Sequence, residues 1–179
     1  MRVVSTTLAP LKPRPRGEGV FIKIRQVHSS EKLFLDLGKM KQRVLILCTK
    51  NSCRSQMAEG VLRHYGGENF EVFSAGTVAS HVNQNAIRVM EEIGIDISMQ
   101  KSKGLEGFLD QTFDFVITVC DNAKETCPFF PGARRQIHWS FPDPPQTEEP
   151  NDEYLREFRK VRDMIHKKFK QAAEEGITV

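Results

Sequence analysis

A chain of 179 residues with 39% hydrophobic and 27% charged residues can bury one sizeable core, which excludes a disordered or fibrous protein. Four cysteines are too few for a disulfide scaffold and fit reduced, reactive thiols in the cytoplasm. No window approaches the ~18 apolar residues of a membrane span, the start lacks the apolar core of a secretory signal, and the net charge of +3 is unevenly spread.

Residues 1–41 hold nine Lys and Arg against three acids, while residues 42–179 hold 17 against 20. The first segment reads as a basic N-terminal extension, flexible or weakly ordered. Its "LKPRPRGEG" is broken by prolines, and "VFIKIRQV" is its one candidate strand. It lacks the serine richness of a transit peptide, and Met40 just before the first strong strand suits an extension added upstream. The main domain, 42–179, is mildly acidic, which argues against a nucleic-acid face.

After Met40 the pattern becomes regular. "RVLILC" (43–48) is a short apolar run of the buried parallel-strand kind, and "CRSQMAEGVLRHYG" follows as a helix with Met57, Val61 and Leu62 on one face. "FEVFSAGT" predicts a second strand. "NQNAIRVMEEIGID" predicts a second helix, with Ala86, Val89, Met90 and Ile93 at helical spacing and Gly94 as its stop. "GLEGFLDQ" is a short helical piece, "FDFVITVC" (113–120) a third buried strand and "RQIHWSF" a weaker fourth. From Asp152 a long amphipathic helix carries Leu155, Phe158, Val161, Met164, Ile165 and Phe169 on its apolar stripe. Strands alternating with helices imply an α/β fold, a parallel sheet covered by helices on both faces.

Ligands of such sheets bind at the carboxyl ends of the strands, where Cys48 and Cys120 fall. Between Cys48 and the helix opened by Arg54, the loop Thr49, Lys50, Asn51, Ser52, Cys53 can turn successive N–H groups inward as an anion nest. The helix N-terminus adds unpaired N–H groups and a positive dipole end, and Arg54 adds a planar fork for two oxygens of a tetrahedral oxyanion. A cysteine beneath that cradle is held as thiolate. Ser55 can donate to it, and Asn51 tolerates left-handed backbone. The competing reading is a small buried Cys48 with Arg54 on a solvated helix face.

"CTKNSCRSQMAEG" with the later "SAGT" resembles the low-molecular-weight protein tyrosine phosphatase superfamily, and within it the arsenate reductases that use thioredoxin. The resemblance covers Val44 to about Ala173 and implies a four-stranded parallel sheet flanked by helices. It implies Cys48 as nucleophile, Arg54 as oxyanion clamp, Asn51 and Ser55 as supports, and the loop 49–55 as the substrate cradle. Cys53 matches a second loop cysteine whose role is packing. An oxygen leaving the central atom needs a proton. "WSFPDPPQ" places Asp143-Pro144 where the superfamily has its acid, although Asp before Pro is otherwise a turn starter.

A phosphatase needs one cysteine, whereas a reductase needs thiols that carry the oxidation away. "VCDNAKETCP" sets Cys120 and Cys127 seven positions apart across a polar loop, the spacing found in the thioredoxin-coupled reductases. The resemblance implies a relay without a cofactor. Cys48 attacks arsenate (phosphate or sulfate being analogues), Cys120 takes Cys48 into a disulfide, and Cys127 moves that disulfide to Cys120. Thioredoxin reduces it, with glutaredoxin and glutathione as the alternative donor.

Tyrosine phosphatases usually follow Asp-Pro with aromatic residues; here Pro145, Gln146 and Thr147 follow. Lys50 stands where many members carry glycine, which would cost more if that backbone were left-handed and would also add charge near the anion. Two other functions stay open: hydrolysis of phosphotyrosine or aryl phosphates through a Cys48 phosphoenzyme, and zinc or arsenite sensing by the four cysteines. The cysteines lack zinc-knuckle spacing, and His64, His81 and His138 have no ligand spacing.

Overall fold

The run Val44 to Leu47 is at most 2% exposed, and a strand so apolar on both sides has to lie inside a sheet with both faces covered. The computed structural model describes residues 40–119 and 129–178; the candidate strand "VFIKIRQV", Cys120 and Cys127 lie outside them. Within that range the order is β1 (Gln42–Cys48), α1 (Arg54–Gly66), β2 (Phe70–Gly76), α2 (Gln84–Glu91), a 3-10 turn (Leu105–Phe108), β3 (Phe113–Thr118), β4 (Ala133–His138) and α3 (Asp152–Glu175). The four strands are parallel in the order β2-β1-β3-β4. Registers pairing Cys48 with Gly76 and Leu47 with Thr118 bring the carboxyl ends of three strands to one edge.

The pleat sorts β1 between two cores. Val44, Ile46 and Cys48 face Met57 and Val61 of α1, Val89 of α2, and Phe158 and Ile165 of α3. Leu45 and Leu47 face the opposite way, toward Phe108 of the 3-10 turn and Phe130. The cover is helical on both faces but unequal: among the described residues the three α-helices share the first core, and the second is covered by the 3-10 turn together with Phe130. No described helix is long and apolar enough to cross a membrane.

Helix ends follow their caps. Asn83 Oδ1 accepts from the N–H groups of Asn85 and Ala86, Asn151 Oδ1 accepts from Tyr154 N, and Gly94 at φ 74 turns the chain away after α2. The stripe on α3 differs from expectation in one place. Met164 is 47% exposed, while Arg162 is buried, donating to Val89 O at 2.8 Å and reaching Glu92 at 2.9 Å. A guanidinium fits inside because the carbonyl-rich end of α2 meets it there. The fourth strand also starts at Ala133 and stops at His138, short of the expected Phe141. Trp139 N still donates to Thr118 O of β3 at 2.9 Å, but the side chains of Trp139 and Phe141 are held by Phe169, with ring centroids 5.1 and 6.2 Å away.

Candidate active site

At the carboxyl edge the chain leaves β1 at Cys48 and folds back before α1. The turn passes through Asn51 at φ 49, the one non-glycine residue with positive φ among those described. Asparagine takes this conformation at low cost because its amide can bond locally. Lys50 is not in left-handed backbone, so the loop does not need glycine there. It needs glycine elsewhere: a Cβ on Gly76 would stand 2.7 Å from Thr49 O and 2.8 Å from Asn51 N, so "SAGT" lets β2 press directly against the loop.

A buried hydrogen-bond chain then orients the sulfur. Lys103 N, which can only donate, reaches Asn51 Oδ1 at 2.7 Å, and this fixes which end of the amide is which. Gln56 Nε2 donates to the same oxygen at 2.9 Å. Asn51 Nδ2 is thereby the donor, to Ser55 Oγ at 2.9 Å and Ser74 Oγ at 2.7 Å. Ser74 O–H in turn donates to the carboxylate of Glu59, a side chain 1% exposed that also pairs with Arg63 at 2.7 Å and Lys103 at 3.3 Å. Ser55 Oγ, which accepts from Asn51, lies 2.9 Å from Cys48 Sγ and donates to it whenever the sulfur is a thiolate, and Asn51 N–H reaches the same sulfur at 3.1 Å. One fixed N–H and one hydroxyl able to donate therefore converge on Cys48, an arrangement suited to a thiolate.

Above the sulfur, α1 begins with Cys53 at the N-cap, which supplies no side-chain hydrogen bond. The positive end of the helix is thereby left facing the loop. Arg54 lies over the opening, its Nη1 donating to Phe141 O at 3.0 Å and its Nη2 paired with Asp143 at 2.7 Å. A pocket of about 240 Å³ is lined by Cys48, Thr49, Lys50, Ser52, Cys53, Arg54, Asp143 and Gln146, with no aromatic side chain among these described residues. Asn51 and Ser55 lie beneath it, fully buried. Burial pushes the Cys53 thiol up to about 12, so at neutral pH it is a protonated packing group.

The rim is exposed and polar. Gln146 Nε2 reaches Asp143 Oδ2 at 3.2 Å, and its Oε1 accepts from Lys50 Nζ at 3.1 Å. Beside the site, Val119 N donates to Leu47 O at 2.9 Å, so the residue before Cys120 is bonded to the residue before Cys48. Cys120 and Cys127 are outside the described residues, and no group of three metal-ligating side chains occurs among those described. Sequence reasoning passed over Gln56, Glu59, Ser74, Lys103 and Gln146. A signal existed for three of them: Gln56, Glu59 and Ser74 are polar residues at otherwise core-facing positions of α1 and β2, where each must find a partner.

The chain has clear relatives. The family model for low molecular weight phosphotyrosine protein phosphatases matches residues 43–176. An arsenate reductase of Halalkalibacterium halodurans is 46% identical over 136 residues, which span 76% of this chain and 98% of that protein. An arsenate reductase solved in a phosphate-binding state superposes with a TM-score of 0.65 at 34% identity, covering 77% of this chain and 100% of the other. One solved in an oxidized state gives 0.62 at 33% identity, covering 76% and 99%.

Proposed function

Since the chain belongs to the low molecular weight phosphotyrosine protein phosphatase family, we propose that it is an arsenate reductase working through Cys48, Cys120 and Cys127. The observation that carries the reading is the convergence on Cys48 Sγ of Asn51 N–H and Ser55 O–H beneath an uncapped helix end and Arg54. That arrangement binds a tetrahedral oxyanion directly over a nucleophile. The likeness to arsenate reductases supports arsenic as its centre.

In the first step Cys48 thiolate bonds to As(V), and one oxygen departs as water after taking a proton from Asp143. Arg54 must release Asp143 to grip the oxyanion, so the same movement frees the acid when substrate arrives. In the second step Cys120 attacks Cys48 Sγ. The S–As electron pair stays on arsenic, which leaves as As(III), and a Cys48–Cys120 disulfide remains. Cys127 then attacks Cys120, freeing Cys48, and a dithiol donor of the thioredoxin class reduces the Cys120–Cys127 bond. The hydrogen bond from Val119 to Leu47 supports the second step, because it binds the approach to Cys120 to the approach to Cys48. Such a relay belongs in a reducing compartment, the cytoplasm.

The test is arsenate-dependent NADPH consumption with thioredoxin and thioredoxin reductase, for the native chain and Cys127→Ser. Turnover that the substitution abolishes is the expected result. No native turnover, with Cys127-independent hydrolysis of an aryl phosphate, would make the protein a phosphatase. Turnover only with glutathione and glutaredoxin would change the donor.

A further inference from the structure

The residues above the catalytic sulfur divide one hollow into two. The pocket over Cys48 and a second cavity of about 310 Å³ share three of their lining residues, Lys50, Ser52 and Gln146. The second cavity continues outward past Ser80, His81 and Thr147. The wall between them is the hydrogen bond from Lys50 Nζ to Gln146 Oε1 at 3.1 Å.

Gln146 is a side chain on a fixed mount. One residue on, Thr147 O accepts from Asn83 Nδ2 at 3.0 Å and Asn85 Nδ2 at 3.2 Å, both at the start of α2. Two residues back, Pro144 is buried. The backbone on either side is thereby held, while the Gln146 and Lys50 side chains are exposed and joined by a bond for which water competes. The amide nitrogen of Gln146 is engaged as well, with Asp143 Oδ2 and Pro144 O, both at 3.2 Å.

We propose that the Lys50–Gln146 bridge is a specificity-determining partition that reserves the Cys48 pocket for inorganic oxyanions. The proposal rests on the oxyanion-binding reading of that pocket. A tetrahedral anion with four bare oxygens sits on the Cys48 side and leaves the bridge closed. An anion carrying an aryl or alkyl group must point that group toward the open side, where it meets Lys50 and Gln146. It then has to part them and leave the ammonium facing an apolar surface. With the bridge removed, the second cavity becomes the place where such a substituent lies. Lys50 thus acts at the rim both as a charge that draws anions inward and as half of the closure.

The experiment reads binding without any turnover. The full-length protein is alkylated with iodoacetamide in rising concentrations of inorganic phosphate or of phenylphosphonate, and mass spectrometry follows the label on Cys48. The native chain is protected by phosphate at about ten-fold lower concentration than by phenylphosphonate, the combined cost of parting the bridge and of setting the Lys50 ammonium against an apolar surface. In Gln146→Ala and in Lys50→Met this preference narrows to about two-fold, chiefly because phenylphosphonate binds better. Equal protection of the native chain by both ligands overturns the partition, and so does a preference left unchanged in both variants. Failure of phosphate to protect native Cys48 overturns the oxyanion pocket and the partition together. If the ratios behave as expected while arsenate turnover is absent, the partition stands and only the reductase reading falls.

Discussion

The floor and the rim of the pocket are built on opposite principles. At the floor, Asn51, Ser55, Gln56, Glu59 and Ser74 are all 0% exposed and bonded to one another, so each hydrogen bond operates without competing water. At the rim, Lys50, Asp143 and Gln146 meet in solvent, where the same kinds of bond are weak and exchangeable. Cys48 therefore gains a fixed geometry from groups buried beneath the pocket. The exposed groups lining the pocket mouth are free to move, and Arg54, 10% exposed on its side chain, links the two layers.

Breaking the chemistry at the floor has the largest effect. Cys48→Ser should lower turnover by at least about 10³-fold, since the bond to arsenic and the first disulfide of the proposed relay are both made through that sulfur; arsenate-dependent NADPH consumption measures it. Cutting the network at its buried end comes next. Glu59→Ala strips the shared partner from Arg63, Lys103 and Ser74, and should cost about 4 kcal/mol in urea unfolding. Asn51→Ala leaves Lys103 N and Gln56 Nε2 without their acceptor and removes a residue suited to φ 49. A cost of about 3 kcal/mol is expected, with loss of the sulfur's orientation seen as slower alkylation of Cys48.

A pH series sharpens the contrast between the two loop cysteines. Because burial raises the Cys53 pKa in the folded chain to about 12 from about 9, the folded form holds its proton longer than the unfolded chain does. The stability linked to Cys53 is therefore complete below about pH 9 and is lost as pH rises toward 12. Unfolding followed through this range should show Cys53→Ala losing less stability than the native chain. At pH 8, iodoacetamide should label Cys48 and spare Cys53. The smallest effect belongs to the rim: Gln146→Ala and Lys50→Met should each shift the urea midpoint by less than the equivalent of about 0.5 kcal/mol. A large loss at either position would show that the rim bears on the fold as the floor does.

Much of this protein could be read from its amino acids because the informative features are local. An apolar run ending in Cys48, a polar turn and a helix opening at Arg54 sit next to one another in the chain. Their order alone places a cysteine under a helix N-terminus of the kind that suits anions. The alternation of strands and helices similarly implied a parallel sheet, because only crossovers of that length return a strand in the same direction. The stop at Gly94 and the left-handed turn at Asn51 were legible for the same reason, each being a property of one residue's own backbone.

What tertiary structure alone decided are meetings between distant segments. Lys103 and Asn51, 52 positions apart, fix the amide that orients Ser55, and Glu59 reaches Ser74 across 15. Gln146 meets Lys50 across 96. Apolar periodicity reports whether a side chain faces inward, but it does not report which segment waits there. It therefore missed the burial of Arg162, whose charge is matched by the end of a helix 73 positions earlier. It also ran the fourth strand on to Phe141, when past the bond from Trp139 N to Thr118 O the chain is held by ring packing on Phe169. Local sequence selects Cys48 and the loop that follows it, whereas the partners of the buried polar groups and the Lys50–Gln146 contact exist only once the strands lie side by side.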